Sequence, residues 1–168
     1  VLLVCLGRAT RMSRLLMSEE KEYRARLRLG MVTDTLDMEG KVCAERPVQV
    51  IAQQIATVPA HFLGEITQVP PVVSALKYKG EPLYKLYRRG VIVEPVPRVV
   101  FIRELEIIAF ESPFLDFRVV CSKGTYVRSL CRDIGEFLGC GAVQVSLRRT
   151  RIGPFRVEDA HTLEDVER

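Results

Sequence analysis

Cys121-Ser-Lys-Gly-Thr-Tyr-Val-Arg-Ser-Leu-Cys-Arg-Asp-Ile-Gly135 joins a strand, a tight turn and a helix with no linker between them. Phe117, Val119 and Cys121 alternate with Arg118 and Val120, the two-residue repeat of an extended segment. Leu130, Ile134, Phe137 and Leu138 then recur at helical spacing. Gly124 lets the chain reverse sharply, and the amides that follow open a helix, a position suited to an anion or a carboxylate. Lys123, Tyr126 and Arg128 crowd this joint. A phenol there can stack on or hydrogen-bond a planar ligand, and a guanidinium can clamp a carboxylate or phosphate through two parallel bonds. The same strand–turn–helix is also common scaffolding, so the pattern alone leaves a functional site and a structural corner equally open.

Working outward, residues 98–110 and 114–121 read as two strands around Glu111-Ser-Pro113, an antiparallel hairpin. Gly139-Cys-Gly141 turns the chain into a further strand over 142–150. Toward the N-terminus, 9–16 reads as a short basic helix and 23–29 as a strand ended by Gly30. A polar turn over 33–40 precedes a strand running from Lys41 toward Arg46. Helical spacing over 50–62 closes at Gly64, and Pro59 inside it predicts a stop or kink there. The prolines of 68–77 hold that stretch extended, and Gly80 and Pro82 introduce a helix over 83–89 ended by Gly90. With no repeat and no low-complexity linker, 1–168 reads as one α+β domain.

Composition narrows the function classes. The 168 residues are 48% hydrophobic and 27% charged, ordinary for a globular chain with a full core. No apolar run approaches membrane-spanning length, so no membrane role is expected. The opening Val1-Leu-Leu-Val-Cys-Leu6 is too short for a signal peptide and lacks a basic segment before it. The five cysteines form no C-x-x-C pair, and His61 and His161 stand far apart. No metal site is expected, and the cysteines read as small hydrophobes of a reduced, cytoplasmic protein. Nothing resembles a nucleophile elbow.

A net charge of +4 does not by itself imply a polyanionic partner; its distribution says more. Arg24, Arg26 and Arg28 alternate with Ala25, Leu27 and Leu29, giving one cationic and one apolar face. That face is either solvated or a stripe that tracks phosphates. Lys77, Lys79, Lys85, Arg88 and Arg89 interleave with Tyr78, Tyr84 and Tyr87, a pairing that suits stacking on an electropositive surface. Asp34, Asp37 and Glu39 tempt a reading as a metal site or an acid pair, but Asp and Thr beside Gly40 are what a turn requires.

Four ordered segments carry a resemblance. They are Lys21-Glu-Tyr-Arg with Leu29-Gly-Met-Val-Thr-Asp-Thr-Leu-Asp37, Gln68-Val-Pro-Pro-Val-Val-Ser-Ala-Leu-Lys-Tyr-Lys-Gly80, Ser122-Lys-Gly-Thr-Tyr-Val-Arg-Ser-Leu130, and Leu138-Gly-Cys-Gly-Ala142 with Leu147-Arg-Arg149. Together they resemble the bacterial TruB-type tRNA pseudouridine synthases, which isomerise uridine 55 of the T-loop, and they span nearly the whole chain. The resemblance implies a mixed, mainly antiparallel sheet with flanking helices and an RNA-modifying isomerase that needs no metal or cofactor. It implies tRNA, through its T-arm, as partner of a monomeric enzyme. It matches Tyr23 to a tyrosine stacking on the flipped uracil, Tyr126 to one packing beside the target nucleotide, and Leu147 to a pocket-lining residue. Arg128 matches an arginine paired with the nucleophilic aspartate. Arg24, Arg26, Arg28, Lys77 and Lys123 are candidate contacts to the RNA backbone.

One departure stands out. The family nucleophile lies in a Gly-x-Leu-Asp-Pro segment, which this chain does not contain. Its first residues resemble the stretch just after that motif, and the sequence stops soon after Thr162-Leu-Glu-Asp165. The expectation is a catalytic-domain fragment without its aspartate or a C-terminal RNA-binding domain, inactive as given. Asp34, Asp37, Asp116 and Asp133 are not expected to fill the vacancy. Two alternatives stay open: a non-catalytic RNA-binding or RNA-folding module, and a guide-RNA-dependent relative.

Overall fold

The structure, a computed structural model, describes residues 1–166. A 3-10 turn over Gly7–Met12 runs into α1 (Ser13–Ser18), splitting the basic helix expected over 9–16 into two short pieces. Then come β1 (Lys21–Leu29), β2 (Met31–Thr33), β3 (Val42–Glu45), α2 (Ala52–Phe62) and β4 (Gly64–Gln68). A small excursion follows, made of β5 (Lys77–Tyr78), β6 (Glu81–Pro82) and α3 (Leu83–Arg88). The chain finishes through β7 (Arg98–Glu111), β8 (Phe114–Cys121), α4 (Val127–Phe137), β9 (Ala142–Ile152), β10 (Phe155–Arg156), a 3-10 turn at Val157–Asp159 and α5 (Leu163–Val166).

Six strands form one sheet in the order β10-β9-β1-β8-β7-β4, and every neighbouring pair is antiparallel. The two-residue alternation of β1 decides its faces. Ala25, Leu27 and Leu29 are buried, in register with Phe117 and Leu115 of β8. They pack beneath Ile55, Val58 and Phe62 of α2 and Val127, Leu130, Cys131 and Ile134 of α4. Burying a side chain such as Phe117, 0% exposed, stabilises by about 1.5–3 kcal/mol. α4 lies across β9 and β1 and α2 against β7, so both helices cover one face of the sheet. This is the α+β architecture with a mainly antiparallel sheet that the sequence implies.

The opposite face is held by charge. Arg118 meets Glu22, Glu104 and Glu106 at 3.0, 2.7 and 3.0 Å, and Arg26 grips Asp116 with two bonds of 2.8 Å. Pro59 neither stops nor breaks α2, which runs three residues further. Its missing N–H removes one bond near the end of the helix, while Val58 and Phe62 on either side are held in the core.

Candidate functional site

Arg128 stands in the first turn of α4 and ties together two loops that are remote in sequence. Its Nη1 donates to the Thr35 carbonyl at 3.1 Å and to Asp37 Oδ2 at 2.8 Å, and its Nη2 donates to the Val73 carbonyl at 2.8 Å. The pair is partly buried, with side chains 22% and 23% exposed. Asp37 is engaged on its other oxygen as well: Oδ1 accepts from Thr35 Oγ1 at 2.6 Å and from the Glu39 amide at 3.2 Å. The arginine that the resemblance pairs with a nucleophile therefore has, among the described residues, Asp37 as its carboxylate. A carboxylate that accepts three such bonds, two of them from its own turn, organises that turn. The sequence reading missed this pairing, because Asp beside Gly reads as turn chemistry. The available signal was Arg128 itself, a cation in a predicted half-buried helix that needs an acid.

Tyr126 caps the start of α4, and its amide donates to Gln68 Oε1 at 2.7 Å. Only the oxygen of Gln68 can accept there, so the orientation of its amide follows from this bond. Gln68 is 0% exposed. Ser129 Oγ and Arg132 Nη2 both donate to the Val69 carbonyl, at 2.8 and 3.2 Å, so the extended stretch after β4 is laced to the helix on three residues. Tyr23 pairs across the sheet with Arg149, and Leu147 with Ala25. Register partners share a face, so Tyr23, Leu147 and Arg149 lie on the side that carries α2 and α4. Burial pushes the Tyr23 phenol up, with Arg149 opposing that shift. Leu147 is 44% exposed, an apolar side chain open to the surface rather than filling the core.

Not every candidate joins them. Arg24, Arg26 and Arg28 sit on the opposite face of β1 from Tyr23, and Arg26 is already paired with Asp116. Three guanidiniums free to follow one backbone are thus not what β1 presents beside Tyr23. Lys77 lies exposed in the excursion, while Lys123, also exposed, stands beside Gly124 at the head of α4. Asp133 pairs with Arg132, not Arg128. Burial pushes its carboxyl up against the opposing effect of Arg132. Cys121, Cys131 and Cys140 are buried, and burial pushes the Cys121 thiol up to about 11, so these thiols stay protonated at neutral pH. Among the described residues no cluster of three or more His, Cys, Asp or Glu side chains could hold a metal ion, and no helix is long and apolar enough to cross a membrane.

The 33–40 turn also reaches the excursion. Tyr87 Oη donates to Asp34 Oδ2 at 2.5 Å, and the Lys41 amide donates to Oδ1 at 2.8 Å. The Tyr87 bond is the largest influence holding the Asp34 carboxyl below its ordinary range; desolvation opposes it and backbone amides add to it. A lowered folded value gives stability that is present above the unfolded pKa and lost as pH falls through the folded one. Tyr87→Phe is therefore expected to lower the melting temperature at neutral pH, with the gap from wild type closing on acidification. A gap that stays constant across the acid range would show that Asp34 gains nothing from Tyr87.

Comparison with known proteins agrees with this geometry. Residues 1–127 match the profile of the TruB family pseudouridylate synthase N-terminal domain, and 128–168 match that of the tRNA pseudouridylate synthase B C-terminal domain. The junction falls just inside α4, which packs on both β9 and β1, so the two matched stretches build one sheet. The tRNA pseudouridine synthase B of Chromobacterium violaceum is 49% identical over 164 residues, covering 98% of this chain and 54% of the relative. That of Syntrophotalea carbinolica is 51% identical over 168 residues, covering 99% and 55%. The chain thus spans about half the length of the curated relatives it matches. Among solved structures, a chain of a Cbf5-Nop10-Gar1 complex superposes with a TM-score of 0.69 at 34% identity, covering 95% of this chain and 39% of that one. A chain of an H/ACA RNP bound to a substrate RNA containing 2'-deoxyuridine gives 0.65 at 30% identity, covering 95% and 37%. With the N-terminal profile spanning β1, the 33–40 turn and the approach to α4, the chain belongs to the TruB family of pseudouridylate synthases.

Proposed function

We propose that the protein of which this chain forms part isomerises a uridine of tRNA, position 55 in the T-loop, to pseudouridine while the base is flipped out of the loop. The observation that carries the reading is the placement of Tyr23 from β1 and Leu147 from β9 on the face of the sheet that α4 packs against, with Tyr126 and Arg128 at the start of that helix. The chemistry needs such a site. The C1′–N1 bond breaks, the uracil turns, C5 bonds to C1′, the C5 proton leaves to solvent and N1 takes up a proton. Neither end of that exchange is reachable inside a folded loop, so the nucleotide must be extruded and held, typically by aromatic stacking.

In this reading Tyr23 stacks on the base, Leu147 lines its pocket and Tyr126 packs beside the nucleotide. Arg128 holds the two loops behind them in place and offers its charge to the nucleophilic aspartate. That aspartate is not supplied by this chain's own residues, and Asp37 is too fully engaged to replace it. Residues 1–168 alone are accordingly expected to bind the T-arm without turning it over. The resemblance further supports a cytoplasmic, monomeric enzyme with no metal or cofactor.

The test is tritium release from tRNA labelled at uridine C5, using the full-length protein. Stoichiometric release is expected, and release that requires an added guide RNA would favour the guide-dependent relatives instead. No release under either condition would end the enzyme reading. Tyr23→Ala should cost the stacking, about 1–3 kcal/mol, roughly 5- to 150-fold in kcat/KM. Unchanged kinetics would return Tyr23 to the core.

A further inference from the structure

Two adjoining grooves open beside the turn that begins α4. One is lined by Lys21, Lys123 and Arg149 among apolar residues of the N-terminal segment; the other by Arg14, Arg98 and Lys123 with Val99 and Val100. Met17, Lys123 and Gly124 belong to both, and no acidic residue lines either. The cations crowd one another there: burial first, then the Arg149 charge and, more weakly, Lys123, hold the Lys21 ammonium below its ordinary range.

Arg98 is the most unusual of them. It opens β7, paired with Gln68 of β4, on the face that carries the helices. Its Nη1 lies 3.6 Å from where a Cβ on Gly124 would stand, which places the guanidinium over the turn itself. Its Nε is buried with no hydrogen-bond partner, and among the described residues Arg98 makes no ion pair. The paired Gln68 has a buried Nε2 in the same condition. Four other arginines of this sheet, Arg26, Arg103, Arg118 and Arg151, meet carboxylates. A guanidinium Nε kept buried without a partner is costly, and an anion at the half-buried guanidinium would offset that cost.

We propose that Arg98 and Lys123 form a phosphate seat over the Gly124 turn, which takes a backbone phosphodiester of the RNA flanking the nucleotide held by Tyr126. This rests on the RNA-modifying reading above and adds the site that fixes the strand's register. A phosphate contact positions the RNA without reading its sequence. Gly124 adopts the left-handed turn conformation, with φ of +83°, that lets the backbone pass beneath the Arg98 guanidinium.

The experiment measures binding of two RNA hairpins to the full-length protein over a range of salt, one with uridine and one with cytidine throughout its loop. Arg98→Met is expected to weaken both hairpins by the same factor and to reduce the slope of log K against log salt by about 0.7–0.9, one phosphate. Arg98→Lys keeps the charge and should keep the slope. Wild-type affinity and slope in Arg98→Met, or a loss confined to the uridine hairpin, would overturn the seat. So would Arg98→Lys falling as far as Arg98→Met with both melting early, the mark of a structural arginine. Inorganic phosphate that raises the melting temperature of wild type but not of Arg98→Met, with the RNA slope unchanged between them, would assign the seat to free phosphate. Wild type binding neither hairpin would instead remove the RNA reading itself, and the seat with it.

Discussion

Arg128→Met is expected to lose stability and turnover together, with the stability loss below the roughly 3–5 kcal/mol of a fully buried pair because both side chains stay partly exposed. Methionine fills much of the same volume but leaves the Asp37 carboxylate without its cation and the Thr35 and Val73 carbonyls without their donor. Both loops then lose their tether to α4. Arg128→Lys restores the charge but not the planar fork, so it should recover part of the stability and little of the turnover. Asp37→Asn supplies the complementary measurement, since an amide keeps the shape and removes the charge. If Arg128 acts mainly through Asp37, the double variant should be little worse than Arg128→Met alone. Chemical denaturation and the tritium-release assay read the two effects separately. A turnover loss of several orders of magnitude with unchanged denaturation would show that Arg128 serves a carboxylate outside the described residues, as the family resemblance implies. The structure favours the coupled loss, because three of its donor bonds go to the two loops.

How much of this was legible in the sequence depends on how local the signal was. The strands β1 and β8 show a two-residue alternation in sequence, and the hairpin at Glu111-Ser-Pro113 follows from turn chemistry. The turn before α4 was legible for the same reason, since Gly124, Tyr126 and Arg128 fall within five residues. What stayed hidden was pairing over long separations. Alternation placed Arg26 on the polar face of β1, but not Asp116 opposite it, 90 residues away. Asp37 looked like turn chemistry, and it is that; its second role depends on Arg128, 91 residues on. Gln68 sat in a proline-rich stretch that reads only as extended, and its grip on the Tyr126 amide exists only once β4 lies beside α4. Pro59 misled in the other direction. A local rule predicted a stop or kink, and α2 does not stop there, its last turn packing against the core through Phe62.

Gly135→Ala sets two familiar effects against each other, and their magnitudes decide the sign. In an exposed helix the change stabilises by about 1 kcal/mol, because alanine loses less backbone freedom on folding. Gly135 is not exposed. It faces the start of β9, where an added Cβ would meet the Ala142 amide nitrogen and the Gly141 carbonyl carbon, both backbone atoms, and stand 2.5 Å from Ala142 Cβ. The two segments are fastened there as well, since the Cys140 and Gly141 amides both donate to the Gly135 carbonyl, at 3.1 and 2.9 Å. No rotamer change relieves such a clash, so α4 must lift from β9. Overpacking of this kind costs about 1–3 kcal/mol and occasionally more, and rigid backbone on both sides puts Gly135 at or above the upper end. The variant is expected to be less stable than wild type by about 2 kcal/mol after the helix gain is subtracted. Because α4 carries Tyr126 and Arg128 while β9 carries Leu147 and Arg149, lifting one from the other also opens the site, and kcat/KM should fall more than the melting temperature alone implies. Adding Ala142→Gly removes only the side-chain contact and should rescue the variant in part. Full rescue would place the obstruction at the Ala142 methyl, and a Gly135→Ala protein more stable than wild type would mean that α4 does not need its close seat on β9.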